Sequence, residues 1–275
     1  MKRLTPSATR RILLWFFDAP SADPYVSLTF DVDVGPVRAF LDAFAREHGE
    51  RVGVHHVLTK AVARCLGEMP ALNVKILGRE LYQLDRVHIA MPVHLDRHGR
   101  GGDETGMTLV HDVDRKSLLD IARDTRRNVA AERDDRATLS GSGLPRRAIR
   151  MLPGRALRAG LGVVQWAMQQ PTTYRVVSDL AVSSAVTNVG AVFALPPGAR
   201  FRAASATIPG KLGPVASVFG VAPVEESVVA EQGVPTCRPV LPIVMIVDHR
   251  AIDGFLMANA AKHVAEGLLD PARLA

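Results

Sequence analysis

The chain has 275 residues, 47% hydrophobic and 23% charged, an ordinary globular composition with enough length for a sizeable core. Its formal net charge is +6, yet basic and acidic residues are mixed over most of the length, which argues against a dedicated nucleic-acid surface and leaves room for a basic cleft holding an anionic ligand. The two cysteines, Cys65 and Cys237, lie far apart without ligand spacing, so neither a disulfide framework nor a metal site is expected.

Near the N-terminus the apolar run 12–17 is too short for a signal sequence core or a membrane span, and a cytoplasmic protein is expected. Residues 27–34 alternate apolar and polar, as a half-buried strand does. Val37, Phe40, Leu41 and Phe44 fall at helical spacing, and Gly49 supplies a stop. A second amphipathic helix is expected over 54–69, closed by Pro70, with Cys65 in the core and His55-His56 merely opening the helix. Residues 74–77 and 81–84 read as a hairpin, and 87–93 as a buried strand. The stretch 96–106, with four glycines and several charges, reads as an exposed loop; a strand is expected over 107–110 and a charge-laced helix over 117–133. His94, His98 and His111 fall on strand ends and a loop without paired carboxylates, and read as surface residues.

Residues 140–175 differ in character. The segment 140–171 holds five arginines and no acid, with Leu157, Leu161, Val164 and Met168 at three- and four-residue steps and Trp166 among them. Such a basic amphipathic stretch can pack as an extra helix, lie on an anionic membrane surface, or line an enlarged acyl channel. Packing is the commonest fate. Further on, Thr187 and Asn188 precede Gly190, Gln232-Gly233 marks a hairpin turn, and the apolar β-branched run 243–247 reads as a buried strand. That run stops at Asp248-His249-Arg250. Asp253-Gly254 follows, then one helical face formed by Phe255, Met257, Ala260, Ala261, Val264 and Leu268, ended by Asp270-Pro271. Imidazole titrates near neutrality, and a nearby carboxylate can order its surroundings, so His249 suits a general base. By spacing alone, a His beside an Asp is more often a satisfied polar pair at a strand end than a catalyst.

The His249, Asp253 and Gly254 pattern, set between an apolar strand and a C-terminal amphipathic helix, resembles the signature of the acyltransferase subunit of 2-oxo acid dehydrogenase complexes, a relative of chloramphenicol acetyltransferase. Similar landmarks are the Pro-Ala-Leu-Asn segment at 70–73, the strand, polar turn and helix from His111, the Thr187-Asn188 segment, and residues 211–220. The resemblance covers nearly the whole chain, 140–175 being the main exception. It implies an α/β (α+β) two-layer sandwich of the chloramphenicol acetyltransferase type, a mixed β-sheet with helices on one face, forming one catalytic domain over 1–275. A homotrimer or larger cage is implied, its active-site channel lying between subunits, with the histidine from one and the hydroxyl from the next.

The implied reaction moves an acyl group between acyl-coenzyme A and a thiol such as a dihydrolipoyl group. His249 would be the base and Thr187 the oxyanion donor, with Ser178, Ser183 and Ser184 as competing hydroxyls. Asp253 would pair with Arg10 or Arg11, Gly254 would permit a sharp turn, and Arg250 and Asn188 would support the site. No metal is needed and no nucleic acid is expected. The chain shows no lipoyl-type lysine motif ahead of this domain, so a free-standing acyltransferase is expected that uses a small thiol, or a lipoyl or carrier domain supplied by another protein. Two further readings stay open: a non-catalytic trimer or cage scaffold of the same fold, and an acyltransferase for a hydrophobic alcohol or amine, in peripheral membrane contact through 140–175.

Overall fold

A strand buried on both faces needs partners on both edges, because no water reaches its backbone groups. The 243–247 run meets that demand as the second half of the longest strand in the protein. The computed structural model describes residues 2–3, 24–77, 80–95, 104–133, 153–176, 181–188, 196, 199 and 215–274. In chain order the elements are β1 (Lys2–Arg3), β2 (Tyr25–Asp33), α1 (Gly35–His48), α2 (Val54–Glu68), β3 (Val74–Leu77), β4 (Glu80–Gln83), β5 (Ile89–Leu95) and β6 (Glu104–Val110). There follow α3 (Leu118–Arg133), α4 (Gly154–Met168), α5 (Pro171–Val176), β7 (Ser184–Asn188), β8 (Ser217–Val221), β9 (Glu225–Glu231), β10 (Val234–Asp248) and α6 (Gly254–Leu269).

The main sheet has seven strands in the order β2–β10–β8–β7–β5–β6, with β9 alongside β10. β7 runs parallel to β8 and β5, and the other pairings are antiparallel, so the sheet is mixed as expected. A small second sheet has the order β1–β4–β3. β10 changes neighbours along its length. Its first half pairs with β9 from Val234 to Val240, and its second half lies between β2 and β8. The alternation of side chains separates the two faces. Ile243, Met245 and Val247 join Phe219, Val221 and Val186 in the core under the helices. Val244 and Ile246 point the other way and form a separate cluster with Tyr25, Val215 and Val218. Each fully buried apolar side chain here contributes about 1.5–3 kcal/mol relative to an exposed one.

α2 is the central helix, packed against α6, α3 and α1 with nine buried residues, Cys65 among them as expected. Local signals explain most element ends. Proline sits in the first turn of α1, and Gly49 ends it in the left-handed region at φ 67, donating to the Ala45 carbonyl. Gln232 (φ 50) and Gly233 (φ 83) make the tight β9–β10 turn, since two positive φ values match the twist of a hairpin.

Two boundaries differ from expectation. β6 begins at Glu104, inside the glycine-rich stretch 96–106, because its pairing with β5 continues to Leu95 opposite Glu104. β10 begins at Val234, nine residues before the apolar run, because β9 supplies a ladder there while one face stays exposed. In both cases backbone pairing overrides side-chain composition.

At the start of α2 the His56 ring takes the place usually held by Glu or Gln in a capping box. Its Nδ1 accepts the Gly53 N–H at 3.0 Å, so Nε2 carries the proton, and Nε2 is buried without a partner among the described residues. Burial, then the nearby His55 and Arg126, depress its pKa from 6.5 to about 3. Protonation would charge a buried ring and turn Nδ1 into a second donor, breaking the cap. Between pH 6.5 and 3 the unfolded chain therefore binds more protons at this site, and stability falls as pH drops through that window. His56→Gln keeps the cap without titrating. Urea unfolding across this pH range is expected to show a shallower loss for the variant, with some slope remaining because burial also depresses His55 and His88. A second prediction concerns Gly220, where an added Cβ would lie 2.9 Å from Val244 Cγ1 and 3.4 Å from Thr187 Cγ2. Gly220→Ala is expected to cost about 1–3 kcal/mol by urea unfolding, and less in a Val244→Ala background.

Candidate active site

At the end of β10 the chain must reverse into α6 while its last residues are buried. Asp248, 1% exposed, organises this reversal through both its backbone and its side chain. Its carbonyl accepts the N–H groups of Ala251 and Ile252, each at 2.9 Å. Its carboxylate accepts the Arg250 backbone N–H (3.0 Å), Nε (3.0 Å) and Nη2 (2.7 Å). A buried carboxylate needs such compensation, and the bidentate guanidinium supplies charge and geometry together. Sequence reasoning placed Arg250 in a supporting role but gave Asp248 none. Its position at the end of a buried strand, two residues before an arginine, was the available signal.

His249 projects from this clamped turn. Its backbone N–H donates to the Pro24 carbonyl at 2.8 Å, tying the turn to the start of β2. Its ring Nδ1 lies 2.9 Å from the Ile252 carbonyl oxygen. A carbonyl can only accept, so Nδ1 carries the proton and Nε2 holds the basic lone pair. The same contact survives when the ring becomes an imidazolium, because Nδ1 donates in both states. The ring is thus fixed in orientation and tautomer by the backbone of its own turn.

Asp253 serves the next element. Its Oδ1 accepts the Leu256 N–H at 2.9 Å and caps α6, with extended backbone at φ −87 and ψ 173. Arg10 and Arg11, expected as its partners, lie outside the described residues. Gly254 does not do what was expected of it. Its backbone is outside the left-handed region and an added Cβ would meet nothing within 4 Å among the described residues, so the turn owes its shape to the Asp248 bonds.

Thr187 sits elsewhere on the sheet. It is level with Gly220 on β8, which is level with Val244 on β10. His249 lies five residues beyond Val244, about 16 Å along the strand at ~3.3 Å per residue, and two strand spacings, roughly 10 Å, to the side. One protomer therefore does not bring the two together. The nearer hydroxyls are already engaged. Ser184 and Ser217 are level with Val247, and their buried side chains bond across the β7–β8 pair: Ser184 Oγ donates to the Ser217 carbonyl (2.9 Å) and Ser217 Oγ to Ser184 Oγ (3.0 Å). Ser183 Oγ bridges the Arg86 carbonyl and the His88 N–H. Ser178 lies outside the described residues.

Thr187 is half-buried, and its hydroxyl makes no hydrogen bond among the described residues. Asn188, next to it, points to the other face of the sheet. There it lines a cavity of about 170 Å³ with Val54, His55, Leu58, Val221 and Leu241.

His56 and His88 hold backbone N–H groups and serve the fold. His88 is fully buried, accepts the Asp112 N–H at Nδ1 (3.0 Å), and stacks edge-on with His111, their ring centres 4.8 Å apart. His111, read as a surface residue, is half-buried for this reason. His98 and the side chain of His94 lie outside the described residues. Among the described residues no group of three or more His, Cys, Asp or Glu could hold a metal ion.

Comparison with known proteins places this geometry. The pattern of the 2-oxoacid dehydrogenases acyltransferase (catalytic domain) family matches residues 15–141 and 205–275. A dihydrolipoyllysine-residue succinyltransferase component of the 2-oxoglutarate dehydrogenase complex, from Bartonella vinsonii subsp. berkhoffii, is 23% identical over 280 residues. That match takes in 100% of this chain and 54% of the relative, so the chain spans about half the length of the curated relative. The cubic core of a pyruvate dehydrogenase multienzyme complex superposes with a TM-score of 0.62 at 21% identity, covering 97% of this chain and 88% of that one. A chloramphenicol acetyltransferase gives 0.56 at 16% identity, covering 98% and 100%. The chain shares the mixed-sheet fold of these solved structures, and it belongs to the family of 2-oxoacid dehydrogenases acyltransferase catalytic domains.

Proposed function

We propose that this domain moves an acyl group between coenzyme A and a thiol acceptor, a dihydrolipoyl group or a similar dithiol, with His249 as general base. The observation that carries the reading is the His249 ring, whose Nδ1 is committed to the Ile252 carbonyl and whose Nε2 is the basic nitrogen. Nε2 takes the proton of the acceptor thiol as its sulfur attacks the thioester carbonyl carbon. The carbonyl oxygen becomes an oxyanion and accepts a hydrogen bond from the Thr187 hydroxyl, which donates one proton without bringing a net charge. Collapse breaks the carbon–sulfur bond to coenzyme A, and the imidazolium returns the proton to the leaving thiolate. Atoms and protons balance without a metal. Coenzyme A enters as a substrate, and the acyl group never resides on the protein.

Within one chain Thr187 and His249 stand on the same sheet but far apart, so the reading requires a homotrimer in which each histidine meets the threonine of a neighbour. Cyclic symmetry makes such sites possible, because a head-to-tail interface closes after three copies. Lipoyl delivery in trans and assembly of trimers into a larger cage are extensions of the same reading.

Release of free coenzyme A from a panel of acyl-coenzyme A thioesters, with dihydrolipoamide as acceptor, tests the chemistry. His249→Ala is expected to lower turnover by roughly a hundredfold to ten-thousandfold, with an unchanged oligomer by sedimentation. Absence of acceptor-dependent turnover in the folded wild-type oligomer would instead favour a scaffold. Shared sites have their own signature. Co-expressing His249→Ala with Thr187→Ala chains, each inactive alone, is expected to restore activity, since random mixing rebuilds roughly one site in four. Failure of well-mixed oligomers to regain turnover would place both groups outside a shared site.

A further inference from the structure

Helix α4 carries an apolar strip that nothing among the described residues covers. Val163 and Trp166 are each 65% exposed, and Arg155, Ala156 and Ala159 are exposed beside them. At 100° per residue Arg155, Ala159, Val163 and Trp166 share one arc of the helix, so the exposed groups form a continuous surface. A Cβ added at Gly160 or Gly162 would meet nothing within 4 Å among the described residues. Among the described residues α4 packs against the short helix α5. An exposed tryptophan and valine aligned along one helix exceed the scattered apolar residues of an ordinary surface.

Charge is concentrated at the same place. Residues 136–178 contain seven arginines and neither an acid nor a lysine, while the rest of the chain holds 27 basic and 28 acidic residues. The whole basic excess of the protein thus belongs to the segment containing α4. Fifteen residues of helix extend about 22 Å, short of the ~30 Å hydrocarbon core of a bilayer, and among the described residues no helix is long and apolar enough to cross a membrane. A helix of this length, with an exposed indole and the exposed Arg155 in an arginine-rich segment, suits the plane of a lipid headgroup layer, where an indole reaches both apolar and wet surroundings and arginine meets anionic phosphates.

We propose that α4 and its arginine-rich flanks dock this protein on an anionic membrane surface, with Ala159, Val163 and Trp166 seated in the headgroup layer. Nucleic acid fits less well, since the exposed strip offers small apolar groups and an indole where a phosphate backbone asks for a row of cations.

The test is flotation of the full chain with vesicles of phosphatidylcholine alone or with about a third phosphatidylglycerol. Binding is expected to the anionic vesicles only and to weaken with added salt. Replacing both Val163 and Trp166 with Ser is expected to abolish flotation, and Arg155→Gln with Arg158→Gln to weaken it by about fivefold for each arginine removed. Circular dichroism and sedimentation check that the variants stay folded and assembled, and turnover on water-soluble thioesters is expected to be unchanged. As a readout that leaves the helix intact, Trp166 fluorescence in a Trp15→Phe chain is expected to be quenched by brominated lipid in anionic vesicles. Failure of the wild-type chain to float would overturn the proposal, as would equal binding to neutral vesicles. Oligomer dissociation in the Val163 and Trp166 variant, with no vesicle binding by wild type, would show instead that another copy covers the strip.

Discussion

The candidate site depends on how a fully buried strand is allowed to stop. The second half of β10 is paired on both edges and buried on both faces from Ile243 to Val247, so its last groups cannot simply be released to water. The Asp248 carboxylate resolves this by holding the Arg250 guanidinium and backbone N–H while its carbonyl receives the next two free N–H groups. A turn tied from so many points has one conformation, and the histidine between Asp248 and Arg250 inherits that rigidity. The Ile252 carbonyl that orients the ring belongs to the same turn. Strand termination, ion pairing and tautomer selection are therefore one local solution, with Asp253 starting the following helix immediately afterwards.

The sheet imposes a second constraint. β7 runs parallel to β8, and β8 runs antiparallel to β10, so the end of β7 that carries Thr187 and the end of β10 that carries His249 lie toward opposite ends of the sheet. The hydroxyls that do lie near the histidine end, Ser184 and Ser217, are spent on each other and on the parallel β7–β8 pair. Within one chain, then, the Thr187 hydroxyl and the His249 ring do not form a pair.

Histidines in this protein illustrate how the same side chain is put to different uses by its surroundings. His56 and His88 are buried and kept neutral, accepting backbone N–H groups as fixed parts of a helix start and a turn. His249 donates at Nδ1 to a carbonyl, which leaves the opposite nitrogen basic. The direction of one hydrogen bond separates a structural imidazole from one suited to proton transfer.

Much of this was legible in the sequence because it is written in short-range patterns. Period-two and helical spacings located most strands and helices, Gln232-Gly233 marked its hairpin turn, and the run ending at Asp248-His249-Arg250 marked the site. Where ladder pairing rather than side-chain character decides, the sequence was less informative: β6 reaches into a glycine-rich stretch and β10 begins nine residues before its apolar core. Gly254 suggested that a glycine permits the sharp turn, whereas its φ lies outside the left-handed region and the turn is held by the carbonyl and carboxylate of Asp248. By itself the sequence determined the family and, through that resemblance, the fold class, and it singled out His249 as the candidate base, because the motifs that carry the resemblance are residue types at fixed local spacing. Only the tertiary structure decided which ring nitrogen is basic, which hydroxyls are already engaged, and that Thr187 and His249 do not meet within one chain, because these depend on strand order and register, which no local pattern encodes.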